Sequence, residues 1–138
     1  MKIGNHEIKL FYSNIAVREI NELCGGVGNI SRLFTQENGD PVPYDTEVTN
    51  MIKLICILAN AEITKENCEK RLGLIEGEEK PHYKFEDLEQ LIDISRIREY
   101  MDEIIEVMNK ASKFEVPDGV KLKSGDIDLA EIEAEKNP

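Results

Sequence analysis

The 138-residue chain is long enough to bury one substantial core without disulfide or metal staples. Its 28 Asp and Glu outnumber 17 Lys and Arg, for a formal net charge of −11. This argues against nucleic-acid binding, because phosphate affinity comes from neutralising cations.

The opening MKIGNHEIKL carries no apolar signal-peptide core, so a reducing cytoplasm is the expected compartment. Residues 2–12 alternate about a Gly4-Asn5 pair, with Ile8, Leu10 and Tyr12 on one face and His6, Glu7, Lys9 and Phe11 on the other. Period two around Gly-Asn predicts a small hairpin, with a single extended arm as the alternative. A lone hairpin is marginal in water, so Leu10 and Phe11 are expected to dock onto helices. Ser13 or Asn14 can cap a helix running to about Cys24. Its stripe is Ala16, Ile20, Leu23 and Val27, with Val17 and Cys24 beside it. Gly25-Gly26 ends that helix. The GGVG run follows a helix rather than a strand and precedes no GKS or GKT, which argues against a phosphate loop. A short helix from Asn29 to Phe34 presents Ile30, Leu33 and Phe34, and a polar loop with two prolines fills 36–45.

The stretch from Thr46 to Ala61, TEVTNMIKLICILANA, predicts the central helix, capped by Asp45 or Thr46. It is a rod of roughly 24 Å, apolar on nearly every side, and such a helix is normally buried on nearly every side. It is too short and too interrupted to span a bilayer, which takes about 20 mostly apolar residues. Thr64 is expected to start another short helix with Cys68, Leu72 and Ile75 facing inward, and 76–84 reads as a charged turn. Phe85, Leu88, Leu91 and Ile92 make one helical turn set. After a break at 93–95 a longer helix runs to Ala111, burying Ile97, Tyr100, Met101, Ile104, Ile105 and Met108. Glu99, Asp102, Glu103 and Glu106 take its outer face. From Glu86 to Glu106 eight carboxylates meet two arginines, a net of −6 that reads as a solvated face or as a docking surface for a basic partner. Beyond Lys113, Pro117, Gly119 and Gly125 interrupt a segment poor in large apolar residues, so 113–138 reads as a flexible acidic tail.

The expected fold is therefore mainly α. A small helical domain over 1–112 surrounds a central apolar helix, with a short N-terminal β-hairpin or strand and a flexible tail. Cys24, Cys56 and Cys68 form no CxxC, and only His6 and His82 are available as imidazoles, so no zinc pattern or disulfide framework is visible. Carboxylates three or four apart in the acidic helix have no histidine near them, and the paired Glu-x-x-His motifs of a di-iron site are absent. No catalytic, metal or cofactor-binding residue is expected, nor a nucleic-acid or membrane partner. The few elements available to wrap the central helix predict a self-association or client-binding surface at its border. The candidate partner-binding residues are Met51, Leu54, Ile55 and Leu58, with Glu99, Asp102, Glu103 and Glu106 as the acidic counterpart.

The order of features also carries a resemblance over residues 8–112. A strand-like start (IKLFYS) leads to a helix ending in glycines (AVREINELCGGVGNISRLF), then an apolar helix (VTNMIKLICILANAEIT) and an acidic helical stretch (FEDLEQLIDISRIREYMDEIIEVMNKA). This layout resembles the tail assembly chaperones of long-tailed bacteriophages and of prophages in Gram-positive bacteria. The resemblance implies a non-catalytic protein of the host cytoplasm, absent from the finished virion. It would bind the tape measure protein, keep it soluble and help recruit tail tube subunits, with homo-oligomers possible. Met51, Met101 and Met108 would be its adaptable contacts, and methionines at helical spacing are also ordinary core residues. The family often makes a longer frameshifted product, and Glu135-Lys136-Asn137 is compatible with a slippery A-AAA-AAC heptamer. A small acidic helical adaptor or regulator unrelated to phage tails is the alternative.

Overall fold

A computed structural model describes residues 1–112, without the side chains at 27, 28, 111 and 112. The expected tail over 113–138 lies outside the described residues, as does the side chain of Val27. In chain order the elements are β1 (Lys2–Ile3), β2 (His6–Glu7), α1 (Asn14–Cys24) and a 3₁₀ helix (Val27–Leu33). They are followed by α2 (Tyr44–Arg71), α3 (Phe85–Leu91), a 3₁₀ turn (Ile94–Arg96) and α4 (Ile97–Ser112). The protein is mainly helical with a two-stranded antiparallel sheet at its N-terminus, as the sequence predicts.

The hairpin is shorter than its alternation suggests. Lys2 pairs with Glu7 and Ile3 with His6 around Gly4-Asn5, with Gly4 at φ 62°. From Ile8 onward the chain leaves the sheet and lies along α2, where the Phe11 N–H donates to the Leu58 carbonyl at 3.0 Å. Ile8 is buried and Leu10 half-buried against the core, whereas Phe11 stays 36% exposed beneath the Lys65 ammonium, 4.8 Å from its ring centroid. Helix α1 follows its signals closely. The Ser13 hydroxyl accepts from the Ala16 N–H at 3.1 Å, and Gly25 closes the helix at φ 84°. Its buried line is Ala16, Ile20 and Cys24, with Leu23 only half-buried.

Helix α2 is the main departure from the sequence reading. The central helix does not stop near Ala61 for a second to begin at Thr64, because 28 residues from Tyr44 to Arg71 form one helix. No glycine or proline interrupts NAEITKENCEKR, so the hydrogen-bond ladder continues through the expected break. Pro43 takes the N-cap position in place of Asp45 or Thr46, and Asp45, inside the first turn, accepts from the Thr46 N–H at 3.0 Å. The extension also changes the phase of its buried face. Cys68 is exposed, and Leu72 and Ile75 are 67% and 41% exposed rather than inward. The inward positions there are Glu62, Ile63 and Asn67.

Two asparagines of α2 hold the segment that follows it. The Asn67 amide donates to the Lys80 carbonyl and accepts from the Lys80 N–H, both at 2.8 Å. One heptad earlier, Asn60 donates to the Tyr83 carbonyl at 2.9 Å and accepts from the Tyr83 N–H at 2.7 Å. Thr64, freed from any capping role, meets His82 Nε2 at 2.8 Å. What reads as a charged turn is therefore an extended strap zipped along α2. Past it, α3 buries Leu88 but leaves Leu91 49% exposed, since the chain turns extended at Ile92. Asp93 caps the 3₁₀ turn through the Ser95 N–H at 3.0 Å, and α4 follows.

One cluster of buried residues joins all of this. Met1, Ile3 and Ile8 meet Ala16, Ile20, Cys24 and Leu33, then α2, and finally Leu88, Tyr100 and Ile104. Met51, Ile55 and Leu58 are fully buried and Leu54 is 1% exposed. Met51, Ile55 and Leu58 are therefore sealed in the core rather than open to another chain, whereas Leu54, although buried, lies at the floor of a cleft beside α4. The 3₁₀ helix and the N-terminal arm, short as they are, complete the wrapping.

Candidate partner-binding groove

Among the described residues, one extended apolar surface that remains open is on α4. Ile97, Met101, Ile105 and Met108 follow one another at four-, four- and three-residue spacing, and so form one stripe along the helix. Tyr100 and Ile104, 0% and 1% exposed, turn the neighbouring face into the core. Six apolar positions form a face wider than α2 can cover, and its outer edge is left at the surface. Ile105, which spacing assigns to the buried face, is 48% exposed, and Met101, Met108 and Ile97 are partly buried.

Opposite the stripe stand Ile30, Ser31, Phe34 and Thr35 of the 3₁₀ helix and its exit. Together with Met101, Ile105 and Met108 they wall a cleft of about 320 Å³ floored by Leu54 and Ile104. A second cleft of about 240 Å³ continues along α4 through Ile97, Arg98, Met101, Asp102 and Ile105 to Glu47 of α2. Because both contain Met101 and Ile105, they are two parts of one groove. From Ile97 to Met108 it follows α4 for roughly 16 Å, or three helical turns. The Asn50 amide donates to the Leu33 carbonyl at 2.7 Å, tying the 3₁₀ wall to α2.

The four candidate carboxylates divide into two pairs. Glu99 accepts from Arg96 Nη2 at 2.8 Å and Nε at 3.0 Å, and Glu103 lies 3.2 Å from the Met1 ammonium, which Glu7 also holds at 2.7 Å. Burial lowers the affinity of that ammonium for its proton, but the hydrogen bonds and charges of Glu7 and Glu103 outweigh it and leave the pKa raised. Asp102 and Glu106 make no ion pair among the described residues, and both are exposed. Four residues apart, they share one face of α4, with Asp102 lining the groove one turn beyond Arg98.

Of the three methionines expected as adaptable contacts, Met51 is a core residue at 0% exposure, whereas Met101 and Met108 line the groove. Ile30, Phe34 and Ile97 are the walls that spacing alone did not single out. The width of the α4 stripe was the available signal, since six apolar positions exceed what one packing seam hides.

Two other arrangements bear on chemistry. Cys56, Ile57, Leu23 and Phe85 line a shallow apolar cleft between α1, α2 and α3, edged by Glu19, Glu22 and Lys53. Burial, then the charges of Glu19 and Glu86, push the Cys56 thiol pKa up, which disfavours the nucleophilic thiolate. On the opposite side, burial and then a hydrogen bond with Glu66 raise the pKa of Glu62, and that bond lowers Glu66. Such divergence suits acid–base work, but here Lys65 lies 3.4 Å from Glu62 and Lys80 3.9 Å from Glu66, so each carboxyl group has a structural partner. Among the described residues no group of three or more His, Cys, Asp or Glu is placed to hold a metal ion, and no helix is long and apolar enough to cross a membrane. No family model, curated protein or solved structure matches the chain.

Proposed function

We propose that this protein is a non-catalytic tail assembly chaperone that shelters apolar helical segments of a tape measure protein in the α4 groove. By keeping that client soluble in the host cytoplasm it would assist recruitment of tail tube subunits. The observation that carries this reading is the groove itself, which is apolar, three turns long, and lined by two partly buried methionines beside the half-exposed Ile105. Flexible thioethers adapt to varied apolar partners, which suits a chaperone that must accept a repetitive client. A helix laid in a groove is also a recurrent mode of recognition. The layout of residues 8–112 supplies the second support.

Co-expression with a long coiled-coil tape measure protein tests the reading. The tape measure is expected to become soluble and to co-purify. Ile105→Glu places a charge in the groove at a half-exposed position, so it is expected to abolish co-purification while leaving the fold intact. A tape measure that stays insoluble with the wild-type protein sinks the proposal.

A further inference from the structure

We infer that the α4 groove selects a basic amphipathic helix, about three turns long, whose Lys or Arg side chains meet Asp102 and Glu106. This rests on the chaperone reading for its biological setting, but it follows from the charges and apolar walls of the groove. Asp102 lines the groove, Glu106 follows it one turn along the same face of α4, and Glu47 approaches from α2. Glu99 and Glu103 point their charge at Arg96 and the Met1 ammonium, which among the described residues leaves Asp102 and Glu106 for a partner. Arg98 is the one cation lining this part of the groove, one turn before Asp102, so basic side chains belong toward the Met108 end. An apolar face alone would accept many helices. The carboxylate edge favours those with cations beside the apolar positions and disfavours acidic ones.

The same charges argue against the acidic end of the chain and against a second copy. Within residues 126–135, Ile127, Leu129 and Ile132 offer an apolar set, but Asp126, Asp128, Glu131, Glu133 and Glu135 surround it without a single Lys or Arg. Placing that segment against Asp102 and Glu106 would bring like charges together. A second copy of the chain likewise adds a body of net charge −11 to an acidic edge.

The test uses the full chain and two synthetic helical peptides that share an apolar face, one flanked by Lys and the other by Glu. Binding is read by fluorescence anisotropy and by methyl shifts of Met101, Ile105 and Met108. The Lys peptide is expected to bind and the Glu peptide not to. The D102N/E106Q double variant should weaken the Lys peptide about fivefold, the size expected of two exposed ion pairs. Added salt should weaken the wild-type complex more than that of the variant. Equal binding of both peptides, or no effect of the double variant, overturns the charge selection. Contacts of the Ile127 or Leu129 methyls with Met101 in the free protein, or a dimer whose interface shifts these methionines, overturn it in favour of the chain's own residues or a second copy. A tape measure that co-purifies although neither peptide binds sinks this inference alone. A Lys peptide that binds while the tape measure fails to co-purify sinks only the chaperone reading.

Discussion

Replacing Asn67 with alanine tests the asparagine clips that fasten the strap to α2. Asn67 is 5% exposed, and its amide holds both backbone groups of Lys80 at 2.8 Å. Each of the two neutral hydrogen bonds contributes about 1 kcal/mol net. The Lys80 side chain is exposed, so water can reach the freed backbone groups once the strap lifts, and the full penalty for a buried unpaired group does not apply. The expected loss is therefore about 2 kcal/mol in urea denaturation. Asn60→Ala releases Tyr83 in the same way and should cost about as much. Because both asparagines fasten one segment, freeing either end loosens the other, and the double variant should fall short of the sum by more than about 0.5 kcal/mol. Amide hydrogen exchange supplies an independent reading. The Lys80 N–H should be protected in the wild type and lose that protection selectively in Asn67→Ala. A Lys80 amide that exchanges freely in the wild type, or a loss under about 0.5 kcal/mol for Asn67→Ala, would refute the clip.

Other perturbations probe the core, the α1 cap and the buried carboxyl pair. Leu58→Ala, at a fully buried position, should cost about 2–5 kcal/mol, whereas Leu72→Ala, at 67% exposure, should cost under about 0.5; similar losses would contradict the phase assigned to α2. Gly25→Ala places a Cβ 3.7 Å from Asn29 Nδ2, an ordinary contact, so its expected cost of about 1 kcal/mol is backbone strain at φ 84° and should appear as a lower thermal midpoint. Glu62 keeps its proton to a higher pH folded than unfolded, because burial and then the bond with Glu66 disfavour its charge. Stability carried by the neutral form is thus complete below the usual glutamate range and lost as pH rises through the raised folded value. Glu62→Gln removes that loss, so its stability relative to wild type should improve as pH rises above the usual glutamate range, and parallel profiles would refute this account.

Local signals sufficed wherever a residue's role depends on its chain neighbours. Ser13 and Gly25 bound α1, Gly4-Asn5 turns the hairpin, and Asp93 breaks the chain before α4, each through a hydrogen bond or a backbone angle set within a few residues. The acidic charge of the α4 outer face was equally legible, since it is a property of composition. Length was less so. A polar turn of α2 around Thr64 resembles a boundary in sequence, yet without glycine or proline nothing ends the ladder, and only the strap lying on that side explains the inward Asn60 and Asn67.

The sequence by itself determined a mainly helical chain, its first helix and hairpin turn, and an apolar helix at its centre, because periodicity and turn chemistry act over one or two turns. Which apolar residues stay open was decided by the tertiary structure alone. Met51, Leu54, Ile55 and Leu58 are covered because an arm and a 3₁₀ helix distant in sequence close over them. Met101, Ile105 and Met108 border a groove because the core has room for only part of the α4 face. Of the four candidate carboxylates, Glu99 pairs with Arg96 three residues away, only folding brings Met1 beside Glu103, and Asp102 and Glu106 are exposed without an ion pair among the described residues.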